Sequence, residues 1–113
     1  MGLRKEQLRS REFWVAQLSH GRLSQERINR IRSDLLTMPL NSIMVIEFTD
    51  VNHVGSTGLG GLITLLKLAR SCQISIVITG LQQPIWALFK LTKMHKIFPI
   101  YSDINAWLDQ TPS

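Results

Sequence analysis

Cysteine is almost missing from this 113-residue chain. The single thiol, Cys72, can form no internal disulfide, and it lacks the paired spacing of a zinc ribbon or a redox motif. That usage fits a reducing compartment. His20, His53 and His95 have no metal-ligand spacing either, so neither a metal nor another cofactor is expected. Long apolar runs are absent too. The most apolar stretch, Leu59 to Ala69, is broken by Lys67 and falls well short of the ~20 residues that span a bilayer. The opening MGLRKEQLRSRE is polar and basic, without the apolar centre of a secretory signal. Glu6 stands where a myristoylation signal after Gly2 places Ser or Thr. A cytoplasmic protein with no direct membrane insertion is expected.

Negative charge is the scarcer sign. Thirteen Lys or Arg stand against eight Asp or Glu, for a formal net charge of +5. The excess is concentrated in residues 1–34, which hold eight of the basic and four of the acidic residues. Yet the helix-turn-helix pattern, the run of aromatics along a strand and the dense basic block of nucleic-acid-binding domains are all missing. No nucleic-acid partner is expected, and the basic excess favours an acidic protein surface or a solvated face.

What is present is ordinary globular usage, 44% hydrophobic and 19% charged, enough for one core and far from a disordered composition. The expected organisation is a flexible basic N-terminus over residues 1–11, a single domain over 12–109 and a flexible tail over 110–113. FWVAQLSH, residues 13–20, reads as a strand turned by Gly21. From Ser24, apolar Ile28, Ile31 and Leu35 recur at helical spacing, so SQERINRIRSDLLTM is a helix capped by Ser24, with Arg27, Arg30 and Asp34 toward solvent. SIMVIEF (42–48) and ISIVIT (74–79) are apolar on both phases, as strands covered on both faces are. The helical GLGGLITLLKLARS between them makes a β-loop-α-β unit. QQPIWALFKLTK then starts a helix at its proline, with Ile85, Leu88, Phe89 and Thr92 on one face. KIFPIY reads as a short edge strand tolerant of Pro99, and SDINAWLDQ as a last helix capped by Ser102. Trp14, Trp86, Trp107, Phe48 and Phe89 are expected in or beside the core, while Phe98 and Tyr101 flank the edge strand. An apolar edge also leaves room for a homodimer.

The stretch HVGSTGLGGL, residues 53–62, sets Ser56 and Thr57 among Gly55, Gly58, Gly60 and Gly61 at a strand-to-helix junction, where ligands and partners meet α/β proteins. The plainest use is capping, and one of the two hydroxyls is expected to cap the helix. A phosphate-binding loop is disfavoured because G-x-x-x-x-G-K-[ST] is absent and GLGG lacks the third glycine of G-x-G-x-x-G. A nucleophile elbow fails because Val54 stands two residues before Ser56 where G-x-S-x-G needs glycine, and a base is missing, since His53 lies only three residues before Ser56 and a lone imidazole there is more often packed than catalytic. A hydroxyl modified by another enzyme is the remaining use. Phosphate on Thr57 adds about −1.5 to −2 charges at a helix N-terminus that tolerates anions, changing the surface without breaking the fold.

IMVIEFTDVNHVGSTGLGGLITLLKLAR is similar to the central signature of STAS domains: a strand with an acidic residue, a turn, an Asp-Ser-[Ser/Thr]-Gly-Leu box, then a helix. GRLS, residues 21–24, resembles the family's Gly-x-Leu-Asp turn, and LFKLTKMHKIFPIYSDINAWL its C-terminal pattern. The resemblance runs from about Phe13 to Leu108. It implies an α/β fold with a mixed β-sheet of about four to five strands packed with about four helices.

For a stand-alone domain of this length, the resemblance implies a non-enzymatic anti-sigma factor antagonist. Its partners would be an anti-sigma factor that is also a serine/threonine kinase and a resetting phosphatase. The modified hydroxyl carried over by position is Thr57, with Ser56 as second choice, and Gly58 and Leu59 complete the box. The partner surface implied is Gly21, Arg22, Leu23 and Ser24 with Gly55, Ser56, Thr57, Gly58, Leu59 and Gly60. Two positions depart from the family: Gly55 replaces the acidic residue of the box, and Ser24, preceded by Arg22, replaces that of the turn. A more basic rim suits an acidic partner, or holds a phosphothreonine through Arg22. The other reading of the same fold is a constitutive STAS accessory or scaffold subunit of a transporter ATPase or signalling complex, without phosphorylation control.

Overall fold

The computed structural model describes residues 3–110. Its centre is β4 (Ile43–Glu47), whose Met44, Val45 and Ile46 are all buried because both faces of the strand are covered. β2 (Arg11–Gln17) and β6 (Ser75–Thr79) pair with it in parallel on either side. The five-stranded sheet is completed by β1 (Leu3–Leu8) beyond β2 and β7 (Ile100–Tyr101) beyond β6, and only the β1–β2 pair is antiparallel. The expected mixed α/β sheet is therefore observed.

Alternation along the strands sorts the core into two clusters. On one face, Met44, Ile46, Ile76 and Ile78 pack with Ile28, Ile31 and Leu35 of α1 (Gln25–Leu35) and with Leu62 and Leu65 of α2 (Ser56–Ser71). Ile85 and Phe89 of α3 (Gln83–Leu91) extend that cluster, and Pro84 occupies the first helical turn as its fixed φ favours. On the other face, Phe13, Val15, Val45 and Val77 meet Trp107 and Leu108 of α4 (Ile104–Gln110). Phe13 and Trp107 stack edge to face with ring centroids 5.1 Å apart.

Several sequence expectations need correction. The stretch 1–11, read as loose, contains β1. It joins β2 through a tight turn in which Arg9 and Ser10 both take left-handed backbone angles, with φ of 52° and 63°. Residues 1, 2 and 111–113 lie outside the described residues. KIFPIY contributes only its last two residues as strand, because Met94–Lys96 form a 3-10 turn and Phe98 is buried in the core. The last helix is capped by Asp103, whose Oδ1 accepts the Ala106 N–H at 2.7 Å, rather than by Ser102. Arg27 does not reach into solvent freely: its guanidinium donates to the Ser19 and His20 carbonyls at 2.8 Å each, tying α1 to the loop before it.

Two short strands outside the main sheet position the site. β3 (Gly21–Arg22) and β5 (Val51–His53) form a parallel pair, reinforced by Gly21 N–H to Asp50 O at 3.1 Å and Leu23 N–H to His53 O at 2.9 Å. β5 is too short to have shown itself in the apolar pattern. Nearby, Glu47 leaves the sheet as a clasp: its carboxylate accepts from the buried Thr79 hydroxyl at 2.8 Å and from both the hydroxyl and the N–H of Thr49.

Candidate functional site

The β3–β5 pair brings residues 21–24 against residues 53–60, so the two segments read separately from the sequence form one surface. Ser24 caps α1, its Oγ accepting the Arg27 N–H at 3.3 Å, as its place ahead of the Ile28, Ile31 and Leu35 pattern predicts. α2 starts differently. Its N-cap is Gly55, with an extended backbone at φ −100° and ψ −169°, and its carbonyl accepts the Leu59 N–H at 3.0 Å. Glycine supplies no side-chain acceptor, so the cap expected from Ser56 or Thr57 is not made. Both residues already belong to the first helical turn, one and two positions past the N-cap. Both are exposed, and among the described residues neither hydroxyl has a hydrogen-bond partner.

Glycine spacing sets how closely α2 approaches its neighbours. A Cβ on Gly58 would lie 3.0 Å from the Leu23 carbonyl oxygen and 3.1 Å from Val54 Cγ1, so glycine lets the helix start directly beside the 21–24 loop. Gly58 is thus buried floor. Leu23 is buried as well, at 1% exposure, which removes its side chain from the partner surface implied by the sequence. Arg22 is exposed, Ser24, Gly55 and Leu59 are half-buried, and Gly60 is exposed.

Two open concavities flank the hydroxyl pair. One, of about 300 Å³, is lined by Arg22, Ser24, His53 and Gly55 together with Ser56 and Thr57. The other, of about 530 Å³, runs between α1 and α2 along Gln25, Asn29 and Arg32 on one side and Thr57, Gly60 and Thr64 on the other. Among the described residues neither is lined by a carboxylate, which agrees with the neutral residues at positions 24 and 55. The α1 residues of the second groove escaped the sequence reading. Their spacing of four and three was the available signal, a polar stripe beside the apolar one.

Chemically the arrangement offers hydroxyls and cations but no assembled nucleophile. His53 is exposed and, among the described residues, makes no hydrogen bond to Ser56 or Thr57, so a general base is not positioned. Among the described residues no group of three or more His, Cys, Asp and Glu side chains comes together to hold a metal, and no helix is long and apolar enough to cross a membrane.

Comparison with known proteins converges on one fold. The STAS domain family model matches residues 13–106. A candidate anti-sigma factor antagonist of Thermotoga maritima superposes with a TM-score of 0.73 at 16% identity, covering 96% of this chain and 92% of that one. The anti-sigma factor antagonist SpoIIAA in its unphosphorylated form gives 0.61 at 12% identity, covering 96% and 94%. A sulfate transporter family protein of Wolinella succinogenes gives 0.72 at 10% identity, covering 84% and 80%. At these identities the likeness is one of fold.

Proposed function

The chain belongs to the STAS domain family, and from that premise we propose that it is an anti-sigma factor antagonist, a cytoplasmic protein-binding switch gated by phosphorylation at Thr57. It catalyses nothing itself. Its partner is an anti-sigma factor with serine/threonine kinase activity, bound through the joined surface of residues 21–24 and 55–60, and a phosphatase resets the modified form.

The observation that supports this reading is the state of Thr57: exposed, without a hydrogen-bond partner among the described residues, and on the first turn of a helix that has no acidic residue there. A kinase can reach such a hydroxyl without unfolding anything. The phosphate formed would sit where the helix dipole and unpaired N–H groups favour negative charge, so the fold survives. A partner packed over Gly55 to Gly60 would instead meet new bulk and charge. Ser56 shares the exposure and is the second candidate for modification.

Phosphopeptide mapping of the protein from its native host tests the reading. Phosphate is expected on Thr57, within the peptide between Arg32 and Lys67, and is expected to vanish in Thr57→Ala. A phosphate-free peptide under all growth conditions, with the partner bound throughout, would favour the constitutive accessory reading. That second reading draws support from the likeness to the sulfate transporter family protein and from the neutral residues Ser24 and Gly55.

A further inference from the structure

α2 carries three glycines, Gly58, Gly60 and Gly61, although glycine weakens a helix interior relative to alanine. Two of them are required by the fold. Gly58 lies against the Leu23 carbonyl, and a Cβ on Gly61 would come within 2.8–2.9 Å of three Ile28 side-chain atoms. A Cβ on Gly60 would meet nothing within 4 Å. Among the described residues nothing uses its missing side chain, and it opens onto the 530 Å³ groove between α1 and α2.

Charge along that groove has one sign. Among the described residues Arg32 is its only charged lining residue, and through Gln25, Ser56 and Thr57 it is continuous with the smaller concavity, where Arg22 is the only described lining residue with a permanent charge. Both arginines are exposed, and among the described residues neither guanidinium makes an ion pair or a hydrogen bond. Gln25 Nε2 donates to Asn29 Oδ1 at 2.9 Å along the same wall, which is polar, while Ile28, Leu65 and Leu68 give the groove an apolar bed.

Resting on the reading of this chain as a partner-binding domain, we propose that the partner lays an acidic segment in the α1–α2 groove. Its main chain passes over Gly60 and its carboxylates pair with Arg32 and Arg22. Guanidinium groups form bidentate pairs with carboxylates and phosphates alike. A phosphate on Thr57, between the two arginines, therefore displaces the partner by occupying its cations as well as by bulk. Two free cations and an apolar bed suit an acidic peptide better than a nucleic acid, which draws its affinity from many phosphate contacts.

Site-specific photo-cross-linking tests this. A benzophenone amino acid replaces Asn29, Thr64 or His53, one position at a time, and adducts formed in native-host lysate are mapped to the partner's peptides. Adducts from Asn29 and Thr64 are expected on a partner segment of net negative charge. Arg32→Glu is expected to lower their yield about tenfold. Gly60→Ala is expected to raise Tm by about 4 °C while weakening the same adducts, a split that a purely structural glycine would not produce. An adduct from His53 with none from Asn29 or Thr64 overturns the groove and leaves the antagonist reading standing. So does a mapped segment that is neutral or basic. Adducts only to nucleic acid or to a second copy of this chain overturn both readings, as does the absence of adducts at all three positions.

Discussion

Gly61 of α2 faces Ile28 of α1 so closely that a Cβ there would lie 2.8 Å from Ile28 Cγ1, with Cδ1 and Cγ2 at 2.9 Å. This contact fixes the separation of the two helices and so the width of the groove beside Thr57. Ile28 is buried and β-branched, so it cannot swing aside without leaving its rotamer.

Gly61→Ala is accordingly expected to destabilise the protein by about 1–2 kcal/mol, the overpacking cost exceeding the gain in helix propensity. Gly60→Ala, one residue away, should stabilise it. Urea denaturation of the two variants checks the opposite signs, and equal signs would contradict the helix–helix contact.

The hydroxyl pair makes a second contrast. An N-cap replaced by alanine costs about 1 kcal/mol, but Gly55 is the N-cap of α2 and neither Ser56 nor Thr57 is bonded to a backbone N–H among the described residues. Thr57→Ala and Ser56→Ala are expected to shift stability by less than about 0.5 kcal/mol. Ser24→Ala, which removes a real cap, should lose about 1 kcal/mol in the same assay.

Thr79 is fully buried at the end of β6, and its hydroxyl donates to Glu47 Oε2 across the β4–β6 pair. Thr79→Val keeps the shape and removes the donor, leaving one carboxylate oxygen without that bond. A loss of about 1–2 kcal/mol is expected, measured by thermal and urea unfolding. Gly80→Ala should cost more. Gly80 has φ of +76°, and its added Cβ would lie 2.2 Å from Glu47 Oε1.

Much of this architecture was legible because burial leaves a period in the sequence. Ile28, Ile31 and Leu35 announced α1, and the two-phase apolar runs at 42–48 and 74–79 announced strands covered on both faces. β1 was hidden because LRKEQL is an edge strand with mostly exposed side chains, three of its six residues charged. Its turn at Arg9-Ser10 uses neither glycine nor asparagine, the usual residues for left-handed backbone angles. β5 was hidden by its three-residue length. At the site, the box of small residues located the surface, but it could not say which glycine serves packing and which serves access. Gly55, Gly58, Gly60 and Gly61 are alike in the sequence and differ only in what surrounds them in space. The cap was misassigned for a related reason, since helix entry was one residue earlier than a hydroxyl cap requires.

Quantitative partner recovery from native-host lysate with tagged wild-type protein, Thr57→Ala and Thr57→Glu tests the central claim most directly. The account predicts that an anti-sigma factor or kinase is recovered equally with wild type and Thr57→Ala and is lost with Thr57→Glu. Equal recovery with all three would contradict it, because charge at Thr57 would then have no hold on the partner.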